Sequence, residues 1–327
     1  MVSRTVAITE LLTVGEAFED LIFLDLPRLP RAGEEVKTNG FVATFGGGAL
    51  ISAVAARRLG VRCRVVSGLS DRAVGYLRAQ GVGVRNLRRS GEPHAITAAL
   101  STATNRSFVT FNGVNDRLED RLLRALAEER ARHVHFAFFP RSCRHWEPVV
   151  HRLREAGITT SWDFGWNEAL LDDRRFQHLL RALNYAFFNA QEAVLYSGRR
   201  TLDAAVTQWR RSPMPVVIKL GASGSRWVGG PTDLRAATRR ARVVDTTGAG
   251  DAFNGAFLAA RLRGLDPRMS LRLGNHVGTA STRCAGGLDG LPSLDELPAV
   301  FAPLSAPAMP TPRPARGLRR RTSALTS

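Results

Sequence analysis

"DTTGAGDAFNGAF", Asp245 to Phe257, is the stretch on which the fold turns. It sets Gly248, Ala249, Gly250 and the carboxylate of Asp251 where an apolar run of helical period begins. The first N–H groups of a helix have no partner inside it, and the helix dipole adds partial positive charge there. Small residues let an anion approach those N–H groups closely, so the turn is suited to a phosphate. Asp251 gains nothing as a phosphate ligand, because two anions repel. It makes sense facing a substrate hydroxyl, whose proton it takes as that oxygen attacks phosphorus. An N-terminal cap on an ordinary glycine turn would account for a bare G-x-G-D. The full string is more specific, with Thr246 and Thr247 before it and Phe253, Ala256, Phe257 and Leu258 after it.

Outward from this stretch, the chain alternates between apolar strand-like runs and helical ones. "LLTVG", "CRVVSG", "HVHFAFF", "ITTSWDF", "YAFFN" and "VVIKL" read as strands. Helices are predicted over 49–59, 117–129, 143–155, 202–211, 249–263 and 267–284. That rhythm predicts one α/β unit, a mostly parallel sheet between layers of helices. Two stretches break it, 21–44 and 94–113, which are β-rich with no intervening helix. "FGGGALISAVAARRLG", Phe45 to Gly60, is a glycine turn followed by a helix of small residues, suited to close packing and to close backbone approach by a ligand. "NAQEA", Asn189 to Ala193, follows a strand and opens a helix, where Asn189 and Glu192 suit either a capping box or the oxygen ligands of Mg²⁺. Lys219, one of only two lysines, ends the run "VVIK" before a glycine-rich turn at Gly221.

These segments resemble, in order, the signatures of the ribokinase-like sugar kinases, the PfkB carbohydrate kinase family, from about Leu12 to Leu297. The resemblance implies a ribokinase-like three-layer α/β/α sandwich with a small β-sheet lid built from 21–44 and 94–113. It implies transfer of the γ-phosphoryl of ATP, as co-substrate, to a hydroxyl of a sugar-like small molecule. Asp251 is then the base, with Gly248, Ala249 and Gly250 cradling the transferring phosphoryl. Asp20, which "VGEAFED" presents at the end of a strand, Gly47, Arg106 and Asp163 fall on the acceptor side. Lys219, Gly221 and Asn275 fall on the nucleotide side, Asn275 facing the adenine. Asn189 and Glu192 hold Mg²⁺ through water, and the loop carrying Asp245 is one that sometimes holds a monovalent cation such as K⁺. A homodimer through the lid also follows from the resemblance.

The match fails at three places, all on the acceptor side. Ile51 stands where the family commonly has an Asn that contacts substrate hydroxyls. Gly165 and Asn167 stand where many members carry the Asn and Arg of Asp-x-Asn-x-Arg, and Ser67 to Val84 is shortened. Two alternatives therefore stay open. One is a nucleoside acceptor, whose base Ile51 and the aromatic Trp162, Phe164 and Trp166 would suit. The other is a non-catalytic relative that binds ligand in the old pocket, against which the retained Asp251 argues.

At 327 residues the chain is long enough for one large core, expected over 1–302. The Pro-, Ala- and Arg-rich segment 303–327 has no apolar period and is expected to be disordered. The formal charge of +17 is almost entirely arginine, spread along the chain and gathered into no stripe. With no zinc-ligand cluster or RNA-recognition signature, no specific nucleic-acid partner is expected. The three cysteines are far apart and odd in number, which suggests no disulfide framework and fits a reducing cytoplasm. No apolar run is long enough for a membrane span, and the N-terminus lacks a signal pattern. His133 and His135 alternate along one strand and read as structural.

Overall fold

The computed structural model describes residues 8–102 and 105–305. Among these, thirteen strands form two sheets. The strands are β1 (Thr9–Gly15), β2 (Phe18–Leu26), β3 (Gly40–Gly46), β4 (Cys63–Ser67), β5 (Gly83–Asn86), β6 (Ile96–Thr102), β7 (Arg106–Phe111), β8 (Ala131–Ala137), β9 (Thr159–Asp163), β10 (Tyr185–Asn189), β11 (Val216–Lys219), β12 (Ser225–Gly229) and β13 (Thr232–Ala236). The helices are α1 (Gly48–Arg58), α2 (Asp71–Ala79), α3 (Leu118–Ala125), α4 (Cys143–Glu155), α5 (Phe176–Ala182), α6 (Ala190–Ser197), α7 (Leu202–Trp209), α8 (Ala249–Leu262) and α9 (Pro267–Ser281).

The large sheet runs β13-β12-β11-β10-β9-β8-β1-β4-β5 and is parallel from β11 to β5. Its central strands β1, β10 and β11 are largely apolar because both faces are covered. Along β10, Phe188 packs into one core and Phe187 into the other; along β1, Leu12 and Leu11 divide in the same way. Helices α3 to α7 close the first face, with Trp146, Trp162, Phe164 and Tyr196 in that core. Helices α1, α2, α8 and α9 close the second, with Leu50, Val54, Phe257 and Val277. This is the predicted three-layer sandwich.

The smaller sheet runs β3-β2-β6-β7 and includes both β-rich stretches, with β2 beginning at Phe18, ahead of the expected 21–44. "VGEAFED" does not end a single strand: β1 stops at Gly15, and Asp20 is the third residue of β2, on the small sheet itself. Two helices were not expected. In α2 only Ala73 and Leu77 are buried, too short an apolar period to read; its start is set by Ser70 Oγ, which accepts from the Ala73 N–H at 3.1 Å. In α5, Phe176, Leu179 and Leu180 insert into the first core over only seven residues.

Order extends slightly past the expected boundary at 302: Ala299–Ser305 is a 3-10 helix with Phe301 and Leu304 buried. The remainder of the expected tail, 306–327, lies outside the described residues. Cys63 and Cys143 are buried and, like Cys284, unbridged. Among the described residues no helix is long and apolar enough to cross a membrane.

Candidate active site

Strand order reverses about β1, whose neighbours β4 and β8 lead to opposite ends of the sheet. In open α/β sheets the crevice beyond the strand C-termini at such a point is where ligands bind. Polar side chains gather at this edge because three adjacent strands end on them: Asp163 closes β9, Asn189 closes β10 and Lys219 closes β11. Lys219 Nζ donates to Asp163 Oδ2 at 2.5 Å, and Asn254 Nδ2 donates to the same oxygen at 2.6 Å. Burial alone would lower the Lys219 ammonium, but Asp163, Glu192 and Asp251 outweigh it and hold it above its ordinary value. Asp163 is pushed up by burial, yet Lys219 and Asn254 together hold its carboxyl below the usual range. Asp163, expected on the acceptor side, is thus bound to Lys219, expected on the nucleotide side.

Asp251 lies where two helices begin. It is in the first turn of α8, and a Cβ on Gly48, the first residue of α1, would stand 2.9 Å from its Oδ1. The two helices approach closely because their contact is made of small residues. A Cβ on Gly255 would meet the Ser52 carbonyl oxygen at 2.2 Å, and Ser52 Oγ donates to the Asp251 carbonyl at 2.9 Å. That explains the run of Ala and Ser in "GALISAVAA". Burial pushes the Asp251 carboxyl up to about 7; Asp163 adds to this, Lys219 opposes it and Glu192 adds again. A carboxylate so poised is matched to accepting a proton near neutrality.

In the turn before α8, the N–H of Ala249, expected to face a phosphate, donates instead to the Thr246 carbonyl at 3.3 Å. Gly248 caps the helix at φ +72°, a conformation L side chains rarely adopt, and a Cβ there would stand 2.6 Å from Ile51 Cδ1. Ile51 is buried, its side chain filling the space between Gly248 and Gly287. A cavity of about 650 Å³ opens beside the turn, lined by Lys219, Gly221, Thr246, Gly250, Asn275 and Thr279 among others. Its size is that of a nucleotide-scale ligand site. Asn275 is in that wall, but its Nδ2 donates to the Ala236 and Ala237 carbonyls at 2.8 and 3.3 Å. The amide therefore ties α9 to the end of β13.

Asn189 and Glu192 form the complete capping box of α6. Asn189 Oδ1 accepts from the Glu192 N–H at 2.8 Å, and Glu192 Oε2 accepts from the Asn189 N–H at 2.8 Å. Glu192 is nevertheless buried, and burial together with Asp163 raises its carboxyl above the ordinary value. Asp163, Glu192 and Asp251 thus gather about one lysine, and a divalent cation beside them would favour their ionised forms. Each Glu192 oxygen keeps a free lone pair, which suits a contact to Mg²⁺ through its water shell. Among the described residues no group of three or more acidic, His or Cys side chains is disposed to hold a metal ion directly.

On the other side of Asp251, Asp20 of β2 is buried against the glycine turn: a Cβ on Gly46 would fall 2.1 Å from its Oδ2. Burial and the neighbouring Asp245 push Asp20 up to about 7. Gly47, at φ +97°, carries the chain past the Glu16 carbonyl, where a Cβ would stand at 2.3 Å. Arg106, on β7, reaches from the small sheet to the loop before the turn: Nη1 lies 2.5 Å from Asp245 Oδ1, and Nη2 donates to Thr246 Oγ1 at 3.0 Å.

Trp162 and Phe164 cannot stack on a base. Both are wholly buried, stacked on each other at 4.8 Å, with Phe136 stacked on Trp162 at 4.4 Å. Only Trp166 of the three is exposed, and Phe108 and Phe139 are exposed as well. His133 and His135 are structural, as expected: both are buried and share Ser161 Oγ at 2.8 Å. Asn254 is a site residue that was missed. It lies three positions after Asp251, on the same face of α8, and that spacing was the available signal.

A switch-point crevice with a phosphate-suited turn, a poised carboxylate and a nucleotide-sized cavity defines a small-molecule kinase of the ribokinase-like fold. The profile of the pfkB family carbohydrate kinases matches residues 8–294, and the chain belongs to that family. It is 27% identical to a ribokinase of Bacillus subtilis (strain 168), with 87% of this chain and 96% of that protein covered. It is 26% identical to an uncharacterized sugar kinase, YegV, of Escherichia coli (strain K12), covering 88% and 92% of the two chains. Among solved structures, a putative ribokinase II from E. coli in complex with ATP and Mg²⁺ superposes with a TM-score of 0.71 at 22% identity, over 88% of this chain and 97% of that one. The chain is accordingly an ATP-dependent kinase of the class that phosphorylates sugars and nucleosides.

Proposed function

We propose that the chain transfers the γ-phosphoryl of ATP to a hydroxyl of a sugar or sugar-like small molecule, with Asp251 as general base. The observation that carries this reading is the Asp251 carboxylate, held at the start of both α1 and α8 with its pKa raised to about 7. As the acceptor oxygen forms its bond to phosphorus, the bond from phosphorus to the ADP oxygen breaks, and Asp251 takes the hydroxyl proton. The N–H groups of Gly248 and Gly250 are the donors for the charge that builds on the transferring phosphoryl, while Ala249, whose N–H donates to the Thr246 carbonyl at 3.3 Å, keeps the turn small. Lys219, whose Nζ would lie 3.2 Å from a Cβ on Gly250, stands beside the same turn and is the cation for the phosphates. Mg²⁺, when bound, neutralises triphosphate charge, and Asn189 and Glu192 are the residues that would hold its water shell.

Asp20 and Gly47 line the acceptor pocket on this reading, with Arg106 above it, while Gly221 and Asn275 shape the nucleotide cavity. The small sheet is the lid over the acceptor. Its outer face carries Phe41, Val109 and Phe111, all exposed, and a second copy of this chain would cover them in a homodimer. A simple sugar is favoured over a nucleoside, because two of the three aromatics that suggested a base are core residues. A cytoplasmic enzyme fits the unbridged cysteines.

The test is an ATP-consumption screen with Mg²⁺ across hexoses, pentoses, sugar acids, sugar phosphates and nucleosides. Turnover with one acceptor class, abolished in Asp251→Asn, is the expected result. Silence across the panel while ATP still binds would sink the catalytic reading in favour of a ligand-binding protein.

A further inference from the structure

Asp245 opens the stretch that decides the fold, and it is buried. Its carboxylate is already surrounded by donors. Oδ1 accepts from the Thr247 N–H at 2.9 Å and the Thr247 hydroxyl at 2.8 Å, and Oδ2 accepts from the Gly286 N–H at 2.9 Å. The Arg106 guanidinium completes the set, 2.5 Å from Oδ1, with further hydrogen bonds to the hydroxyls of Thr246 and Thr247. The arginine side chain is itself only 24% exposed.

A monovalent cation such as K⁺ needs several oxygens with free lone pairs turned toward it. Oδ1 has three donors on it, the threonine hydroxyls are engaged by the same guanidinium, and a fixed positive charge occupies the approach. K⁺ does not fit this loop while Arg106 is in place.

We infer that Arg106 is the resident cation of the Asp245 loop. A guanidinium carried on the small sheet supplies the positive charge that a bound ion would otherwise supply, so the loop needs no K⁺. Two consequences follow from where the residues sit. Arg106 belongs to β7, whereas Asp245, Thr246 and Thr247 lead directly into the phosphate turn at Gly248. The charge balance of that turn is therefore complete only when the small sheet is seated. Thr246 also lines the nucleotide cavity, so the contact spans from the small sheet to the lip of the donor site. Arg106 is in this account a positioning residue, acting on the phosphate turn through Asp245.

The test compares thermal melts of the wild-type full chain, Arg106→Gln and Arg106→Lys in KCl and in tetramethylammonium chloride at equal ionic strength. Melting uses no turnover, so the outcome is independent of the acceptor and of the kinase reading. Wild type should melt at the same temperature in both salts. Arg106→Gln should melt lower in tetramethylammonium and recover about 2 °C or more as K⁺ is titrated, saturably, because the ion can now reach Asp245. Arg106→Lys, which keeps the charge, should show no K⁺ response. A saturable, K⁺-specific rise in the wild-type melting temperature overturns the inference, as does a folded Arg106→Gln that ignores K⁺. Should Arg106→Gln not fold, the wild-type titration decides alone. With the acceptor in hand, turnover should follow the same pattern: K⁺-independent in wild type, K⁺-stimulated in Arg106→Gln.

Discussion

Replacing Asp251 by Asn should make this protein both much slower and more stable. The rate loss follows from the lost base: a positioned proton acceptor contributes about 10²- to 10⁴-fold, so kcat should fall by that factor. Nucleotide affinity should hold, since Lys219 and the N–H groups of the turn remain. The stability gain follows from what keeps the carboxylate ready. Its pKa is raised from 3.8 to about 7, chiefly by burial. One pKa unit corresponds to about 1.4 kcal/mol, which caps the cost of ionising Asp251 in the fold at about 4 kcal/mol. Asp251 is still partly open to water, and screening reduces the share recovered on neutralisation to about 1–3 kcal/mol.

The pH dependence of that gain fixes its origin. Between about pH 4 and 7 the native carboxyl holds a proton that the unfolded chain releases, so this contribution to stability falls as pH rises through that window and is gone above it. Asp251→Asn should therefore out-melt wild type by a few degrees at pH 8 and by nothing near pH 4. Single-turnover kinetics and paired melts at the two pH values are the measurements. A variant within tenfold of the wild-type rate would refute the assignment of the base. A variant less stable than wild type at pH 8 would refute the account of its pKa.

The remaining predictions test the neighbours of that carboxylate. The acid limb of kcat/KM should have its midpoint near pH 7, and Lys219→Met should move it upward, because Lys219 lowers the pKa of Asp251. Asp20 has a similar pKa but owes it to burial and Asp245, so an unmoved limb would transfer the assignment to Asp20. Asp20→Asn should raise the acceptor KM at least tenfold and leave ATP affinity unchanged; equal losses in both would place Asp20 outside the acceptor pocket. Gly248→Ala should destabilise the fold by about 1–3 kcal/mol, since it combines positive φ with a Cβ placed 2.6 Å from Ile51 Cδ1; an unchanged denaturation midpoint would show that the turn can relax.

The sequence made the sheet legible because burial on both faces leaves an unambiguous trace. All six apolar runs, from "LLTVG" to "VVIKL", are strands of the large sheet, and α4 begins and ends where its periodicity did. Where burial is one-sided and brief the trace fades, which is why α2, with two buried residues, left no readable period. The glycine turn before α8 was legible for a different reason: its geometry is local, made by consecutive backbone groups and by Gly248, whose torsion other residues rarely adopt. Asp163 was harder to place, since its partners Lys219 and Asn254 are 56 and 91 residues away along the chain. Trp162 and Phe164 misled because alternation cannot tell which face of a strand end meets a core and which meets a ligand. Arg106 was visible as a residue above the site, but its pairing with Asp245 depends on how a second sheet sits over the first.

That difference bears on the acceptor. The groups placed for phosphoryl transfer derive from strand ends and helix starts, elements the whole core holds in position. Ile51, the most evident departure from the family pattern, is part of that rigid set. It lies in α1 three residues after Gly48 and fills the space beside Gly248 and Gly287, so restoring an Asn there would bury an amide against two glycine backbones. An Asn at position 51 should consequently cost stability, about 1–3 kcal/mol for an amide left short of partners, and need not create a hydroxyl contact. The selectivity of this chain is then better sought in groups that the core does not lock. These are Asp20 on the small sheet and Phe108, exposed on β7 beside Arg106. Exchanging Phe108 for Ser while keeping Ile51 should change the ranking of acceptors, whereas the reverse exchange should change the melting temperature first.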